Sequence, residues 1–338
     1  MAKQFLITPP LPQPALLERV HSIILEWYAR HQRDLPWRST SDPYAVLISE
    51  IMLQQTQVER VLPKYRQFLA AYPTLADLAA APTSQVISNW VPLGYNSRAV
   101  RLQAIARQVL AEHNGRIPDT VDALLRLKGI GRYTAGAIAC FAYRQQVATV
   151  DTNIYRVLHR IFFGLEQPEP AIKTEQMFDI AEQLMPPGEA YNWNQALMDL
   201  GATICTSGNP QCLRCPLQDI CAAQVEMGRY SLFPGGTALG SLQQVRRKVA
   251  EKKAGYQAHP ERPSQQSLPF TSSNRYFRGR IVDYLRSLPP GQRIKPPELG
   301  TIIKPDFSHA DLPWLQKLIV ALQKDGLVDA SEDGVCLP

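Results

Sequence analysis

An all-α fold followed by a small winged-helix-like C-terminal domain is what this 338-residue sequence predicts. Three observations carry that expectation. From Ala15 to about Gly228 the apolar residues recur at helical spacing, with few alternating strand patterns. The breaks between these stretches are short and hold turn or cap residues. A segment rich in Gly, Gln, Ser and Pro then sets apart the last part of the chain.

Taken in order, Leu16-Leu17…Val20…Ile23-Ile24…Trp27 makes one apolar helical face, and Val58…Val61-Leu62…Tyr65…Phe68-Leu69 makes another. Pro73-Thr74, Pro82-Thr83-Ser84 and Pro118-Asp119-Thr120 punctuate the helices with turn and N-cap chemistry. Residues 229–274 read as a solvated linker, whose changed texture is plain from Pro234 and which carries the basic run Arg246-Arg247-Lys248…Lys252-Lys253. After it, Tyr276–Leu288 and Leu312–Asp325 are patterned as amphipathic helices. Gly326–Ala330 with Gly334–Leu337 suits a short hairpin, so 275–338 is expected to be the winged-helix-like domain.

With 45% hydrophobic and 20% charged residues the composition is that of a globular chain. The net charge of +6 favours a polyanionic partner, since Lys and Arg on phosphate supply most non-specific nucleic-acid affinity. No apolar run approaches the roughly 20 residues that cross a bilayer. Met1-Ala2-Lys3-Gln4-Phe5 lacks the apolar core of a signal peptide, so the cytoplasm or nucleoid is expected, with a monomer as the default state.

Four of the six cysteines crowd into Cys205-x6-Cys212-x2-Cys215-x5-Cys221, and in a reducing compartment such a cluster means metal rather than disulfides. Four thiolates suit either zinc or a [4Fe–4S] cluster. Uneven spacing with a single Cys-x2-Cys pair is unlike a zinc ribbon, and nothing nearby suggests redox catalysis, so the role is structural. Cys140, in an apolar run, reads as core.

Lys128-Gly129-Ile130-Gly131-Arg132 lies between two helical patterns. Glycines there let backbone N–H groups approach a phosphate, the following helix N-terminus adds partial positive charge, and Lys128 and Arg132 flank the turn. Two carboxylates stand out. Asp151 sits where Val147-Ala148-Thr149-Val150 enters a helix, which suits an N-cap. Glu50 sits inside Val46-Leu47-Ile48-Ser49-Glu50-Ile51-Met52-Leu53, where a charge is expensive. It is either half of a buried ion pair or a carboxyl kept protonated by burial and able to give up a proton.

Leu35-Pro36-Trp37-Arg38, Ser49–Val58, Leu93-Gly94-Tyr95…Arg98-Ala99, the Gly-Ile-Gly turn, Val150-Asp151-Thr152-Asn153 and the cysteine quartet occur in one order. Together they resemble the helix-hairpin-helix DNA glycosylase superfamily, and within it the MutY family of A/G-mismatch adenine glycosylases, from about Leu16 to Ala223. The resemblance implies a six-helix barrel with helix-hairpin-helix over 36–143 and an iron–sulfur module over 1–35 and 144–228. It also implies a [4Fe–4S] cluster on the four cysteines and double-stranded DNA with a mismatch or oxidised guanine as partner. It assigns Glu50 as the acid at adenine N7 and Asp151 as the carboxylate facing the oxocarbenium sugar. Asn153 and Tyr133 organise this pair, and Gln55 and Tyr95 wedge the base stack as the nucleotide flips out. Relatives of the endonuclease III type carry Lys where Tyr133 stands, and a phenol cannot form their Schiff base, so a monofunctional glycosylase is expected.

The resemblance stops near Gly228, where family members carry a Nudix-like domain that reads 8-oxoguanine. Two other readings stay open: a thymine or uracil glycosylase acting opposite guanine, and a noncatalytic iron–sulfur protein that senses damage. Glu50 with Gln54-Gln55 is the adenine-type arrangement, and a pyrimidine offers no N7 to protonate. Within the linker, Gln265-Gln266-Ser267-Leu268-Pro269-Phe270 resembles the peptides that dock on the bacterial sliding clamp.

Overall fold

A computed structural model describes residues 11–165, 171–231 and 270–338 of the chain. The helices run α1 (Pro14–His31), α2 (Pro43–Leu53), α3 (Val58–Ala71), α4 (Leu75–Ala80), α5 (Thr83–Asn89), α6 (Ser97–His113), α7 (Val121–Leu125), α8 (Arg132–Phe141), α9 (Thr152–Phe162), α10 (Thr174–Gln183), α11 (Ala190–Thr203) and α12 (Ala222–Ser231). Then come α13 (Asn274–Ser287), α14 (Pro296–Ile303), α15 (Leu312–Lys324) and the strands β1 (Asp329–Ser331) and β2 (Gly334–Cys336). Described residues within Met1–Ser41 and Arg132–Glu261 gather into one compact unit, and those within Asp42–Gly131 and Arg262–Pro338 into a second. Among the described residues no helix is long and apolar enough to cross a membrane.

In the first unit, α1 buries Val20, Ile24, Trp27 and Tyr28, the stripe legible in its sequence, and α11, which buries Trp193, Leu197 and Leu200, packs on it. Asp199 of α11 is fully buried and held twice over. Arg33 Nε donates to its Oδ1 at 2.6 Å, and both terminal nitrogens of Arg38 reach its two oxygens at 2.7 and 2.8 Å. Burial alone would lift this carboxyl, but the bonds and charge of Arg38, joined by Arg33, hold it below the usual carboxylate range. That pairing fastens the Leu35–Arg38 turn to the core.

The second unit is centred on α2, buried at every position from Tyr44 to Met52 and therefore apolar nearly all round. α3 turns only Val61, Tyr65 and Phe68 inward, and a capping box of Thr74 and Asp77 starts α4. The C-terminal elements share this unit. Ile87 of α5 is buried in one cluster with Ile281, Leu285, Leu299, Leu315, Leu322 and Val335, Val100 of α6 packs against it, and the Ser84 N–H donates to the Pro338 carbonyl at 2.8 Å. β1 pairs antiparallel with β2 in the register Ala330↔Val335, and Ile294 bridges Val335.

Here the sequence reading lacks an element. The short helix α14 opens on Pro296-Pro297 at its first turn and is interrupted by Gly300, which leaves too brief a periodic pattern to read. Most of the linker 229–274, with its basic run, lies outside the described residues, as does the clamp-like segment apart from Phe270.

Candidate active site and cluster loop

Asp151 caps α9. The Ile154 N–H donates to its Oδ1 at 2.7 Å, and the Asn153 amide donates to its Oδ2 at 3.0 Å. Burial pushes the Asp151 carboxyl above the usual carboxylate range, against the pull of those two bonds and the Arg156 charge. Asn153 is itself fixed, because Arg156 Nη2 donates to its Oδ1 at 2.8 Å. The same guanidinium reaches the Gly201 carbonyl at 2.8 Å through Nη2 and the Cys205 carbonyl at 2.8 Å through Nε. Gly201 makes this approach of α9 to α11 possible, since a Cβ there would stand 2.9 Å from the Cβ of Asn153.

One turn along α9, Arg160 Nη1 lies 3.5 Å from Cys205 Sγ and 2.8 Å from the Thr206 carbonyl. The Cys221 thiol sits 3.2 Å from the Arg160 carbonyl oxygen. Arg156 and Arg160, four apart on one helix face, thus both serve the cysteine loop. The sequence holds that signal in the spacing alone.

Cys205, Cys212, Cys215 and Cys221 are half-buried and free of disulfides. Burial and then the neighbouring thiols push Cys215 up to about 12, so it would ionise only beside a cationic centre. Four half-buried cysteines on one short loop are the donor set that a [4Fe–4S] cluster takes. Cys140 is buried in the core, where desolvation lifts its thiol to about 11.

In the second unit Glu50 is 5% exposed, on the helix that the core surrounds. α2 ends at Leu53, and Gln55 follows in the left-handed region with φ 54°, its side chain exposed. Tyr95 sits on the loop before α6 with φ 46° and its ring 41% exposed. Left-handed backbone in a residue with a side chain is strained, and such strain persists only where surrounding contacts impose it. Arg98 imposes it. Buried to 4% exposure, it donates to the carbonyls of Ile51, Met52, Gln54, Leu93 and Gly94 and to the Thr56 hydroxyl, tying both loops to one guanidinium. Burial, with Arg101 nearby, lowers its pKa to about 10, so it stays charged at neutral pH.

The hairpin turn joins α7 to α8. Gly129 has φ 99°, and a Cβ there would lie 2.4 Å from the Arg101 side chain, so glycine is required. The Lys128 N–H is held by Gln108 Oε1 at 2.9 Å while its side chain is exposed, and Gly131 is exposed beside it. The Arg132 guanidinium pairs with Glu175 and, at 3.0 Å, with Asp179, over the Phe178 ring. Tyr133 is half-buried on the first turn of α8.

The first unit therefore brings together Asp151, Asn153 and the four cysteines and also holds Tyr133. The second holds Glu50, Gln55, Tyr95, Lys128, Gly129 and Gly131. Arg98, Arg156, Arg160 and Gly201 are positioning residues that the sequence reading left unassigned.

A family model described as HhH-GPD superfamily base excision DNA repair protein matches residues 48–183, and one described as the iron-sulfur binding domain of endonuclease III matches residues 205–221. The adenine DNA glycosylase of Rattus norvegicus is 44% identical over 223 residues, which are 63% of this chain and 43% of that protein. The chain thus spans less than half the length of the mammalian relatives it matches. The adenine DNA glycosylase of Mycobacterium tuberculosis (strain ATCC 25618 / H37Rv) is 37% identical over 331 residues, 96% of either chain. A solved thermostable thymine-DNA glycosylase has a TM-score of 0.58 at 33% identity, covering 63% of this chain and 98% of its own.

Proposed function

The chain belongs to the adenine DNA glycosylase family, and from that premise we propose that it removes mispaired adenine, opposite guanine or 8-oxoguanine, by hydrolysing the N-glycosidic bond of a flipped nucleotide. The helix-hairpin-helix fold and the [4Fe–4S] cluster come with the family. The observation that carries the reading is Asp151, a half-buried carboxylate at a helix N-terminus, desolvated and oriented by Asn153. It is complemented by Glu50, an acid with apolar neighbours along a buried helix.

Adenine leaves poorly as an anion. In the proposed reaction Glu50 gives its proton to N7, the C1′–N9 bond breaks, and the electron pair stays with the departing purine. The ionised Asp151 faces the cationic sugar or bonds to C1′, and water completes hydrolysis by giving its hydroxyl to C1′ while its proton returns to the Glu50 carboxylate. Gln55 and Tyr95, fixed in strained loops by Arg98, occupy the gap in the base stack, and Lys128, Gly129, Gly131 and Arg132 hold phosphate around the hairpin. Arg132 would first have to exchange its pairing with Glu175 and Asp179 for phosphate. Cys205, Cys212, Cys215 and Cys221 hold the cluster, whose chemistry is to lock the loop that Arg156 and Arg160 connect to α9. The cytoplasm or nucleoid, a monomeric state and clamp docking through Gln265–Phe270 complete the reading.

Adenine rather than thymine is favoured because the mycobacterial adenine enzyme matches across 96% of the chain, whereas the thymine glycosylase matches only 63% of it. A panel of A:8-oxoG, A:G, A:C, T:G and U:G duplexes, with and without alkali, tests the proposal. Free adenine should appear from A:8-oxoG and A:G, with strand breaks only after alkali, because Tyr133 offers no amine for a Schiff base. Release of thymine or uracil, or abundant breaks without alkali, would overturn it.

A further inference from the structure

The C-terminal module is seated on α5 and α6 through Ile87, Val100 and the Ser84–Pro338 hydrogen bond, and this seating delivers the start of α13 to the Tyr95 loop. Ser273 caps α13 by accepting from the Tyr276 N–H at 3.2 Å. Two residues beyond that cap, the Arg275 guanidinium lies over the Tyr95 ring, 4.4 Å from its centroid and 5.9 Å from that of Phe270.

Arg275 differs from the other arginines of its helix. Arg278 pairs with Asp325, Arg280 donates to the Ile302 carbonyl, and Arg286 pairs with Asp283. Arg275 is exposed, and among the described residues its guanidinium meets aromatic rings and no carboxylate or carbonyl. Beneath it, Tyr95 is an exposed aromatic held at positive φ on a loop that buried Arg98 fastens from inside. A guanidinium stacked on an exposed aromatic, with no carboxylate or carbonyl partner among the described residues, is held ready for phosphate, to which its planar fork offers parallel donors.

We propose that Arg275 is the point at which the C-terminal module engages duplex DNA, contacting a backbone phosphate beside the base step that Tyr95 opens. The module then acts as a second jaw on the substrate rather than an appendage, and Arg275 couples it to the wedge. The inference rests on the DNA-binding reading above but on neither adenine specificity nor the assignment of the acid.

The test measures binding of the full-length, cluster-loaded protein to an A:G duplex across a salt series, for wild type, Arg275→Ala and Arg275→Lys. Arg275→Ala should bind about tenfold more weakly at moderate salt, with the slope of log K against log[salt] shallower by about one, the signature of one lost phosphate contact. Arg275→Lys should restore the slope, since it keeps the charge. Wild-type affinity and slope in Arg275→Ala, or lost affinity with an unchanged slope, would overturn the proposal. If no adenine is released but the slope still falls, the functional reading fails and this contact stands.

Discussion

Glu50→Gln is expected to slow adenine release by about 10²- to 10⁴-fold, the usual weight of a general acid, while leaving mismatch affinity within about threefold. Glutamine matches the size of glutamate, so the packing of α2, buried from Tyr44 to Met52, is kept. What it lacks is an acidic proton. Without one at N7, the purine must depart as an anion, and the C1′–N9 bond does not weaken. Single-turnover release measured beside equilibrium binding separates these effects. Release at the wild-type rate would mean that some other group is the acid.

Asp151→Asn is expected to reduce release by about 10³-fold or more, because the developing positive charge on the sugar would face a neutral amide. The substitution is conservative for the fold. Asn is as good an N-cap as Asp, and it retains an acceptor for the Ile154 N–H. The sign of the linkage points the same way. Burial raises the folded pKa of Asp151, so the stability it lends is present at low pH and is lost as pH rises through that value. At neutral pH the ionised form is thus a burden that function imposes, and the neutral amide removes it. A melting temperature within about 3 °C of wild type is expected beside the lost activity. A collapse in stability would mean that Asp151 serves the fold first.

The two carboxylates stand out in the sequence for different reasons, Glu50 by breaking a local pattern and Asp151 through the family resemblance. A glutamate inside Val46–Leu53 contradicts hydrophobic periodicity, whereas an aspartate at the head of α9 reads locally as an ordinary cap. The cysteine quartet and the Gly129–Gly131 turn announce themselves by spacing. The long helices were legible from their stripes, α1 above all, whereas α14 was not, being eight residues long with glycine inside it.

What sequence could not supply is the set of contacts between residues far apart in the chain. Arg98 looks like any surface arginine of an amphipathic helix until the carbonyls of Ile51 and Met52, more than forty positions earlier, are seen to converge on it. The pairing of Arg132 with Glu175 and Asp179 is hidden for the same reason, both partners being remote in sequence. The meeting of Arg275 with Tyr95 depends on where the C-terminal module lands, and no local pattern encodes that.

The most direct measurement is the pH dependence of single-turnover adenine release between about pH 4 and pH 9, since one carboxyl must be protonated and the other ionised in the same encounter. An acid limb is predicted, set by Asp151 and displaced upward from an ordinary carboxylate, as burial dictates, with no further rise above it, and Glu50→Gln is predicted to stay slow across the whole range. A rate that climbs steadily with pH through neutrality would contradict it, because base-activated water, not proton donation to the purine, would then drive the reaction.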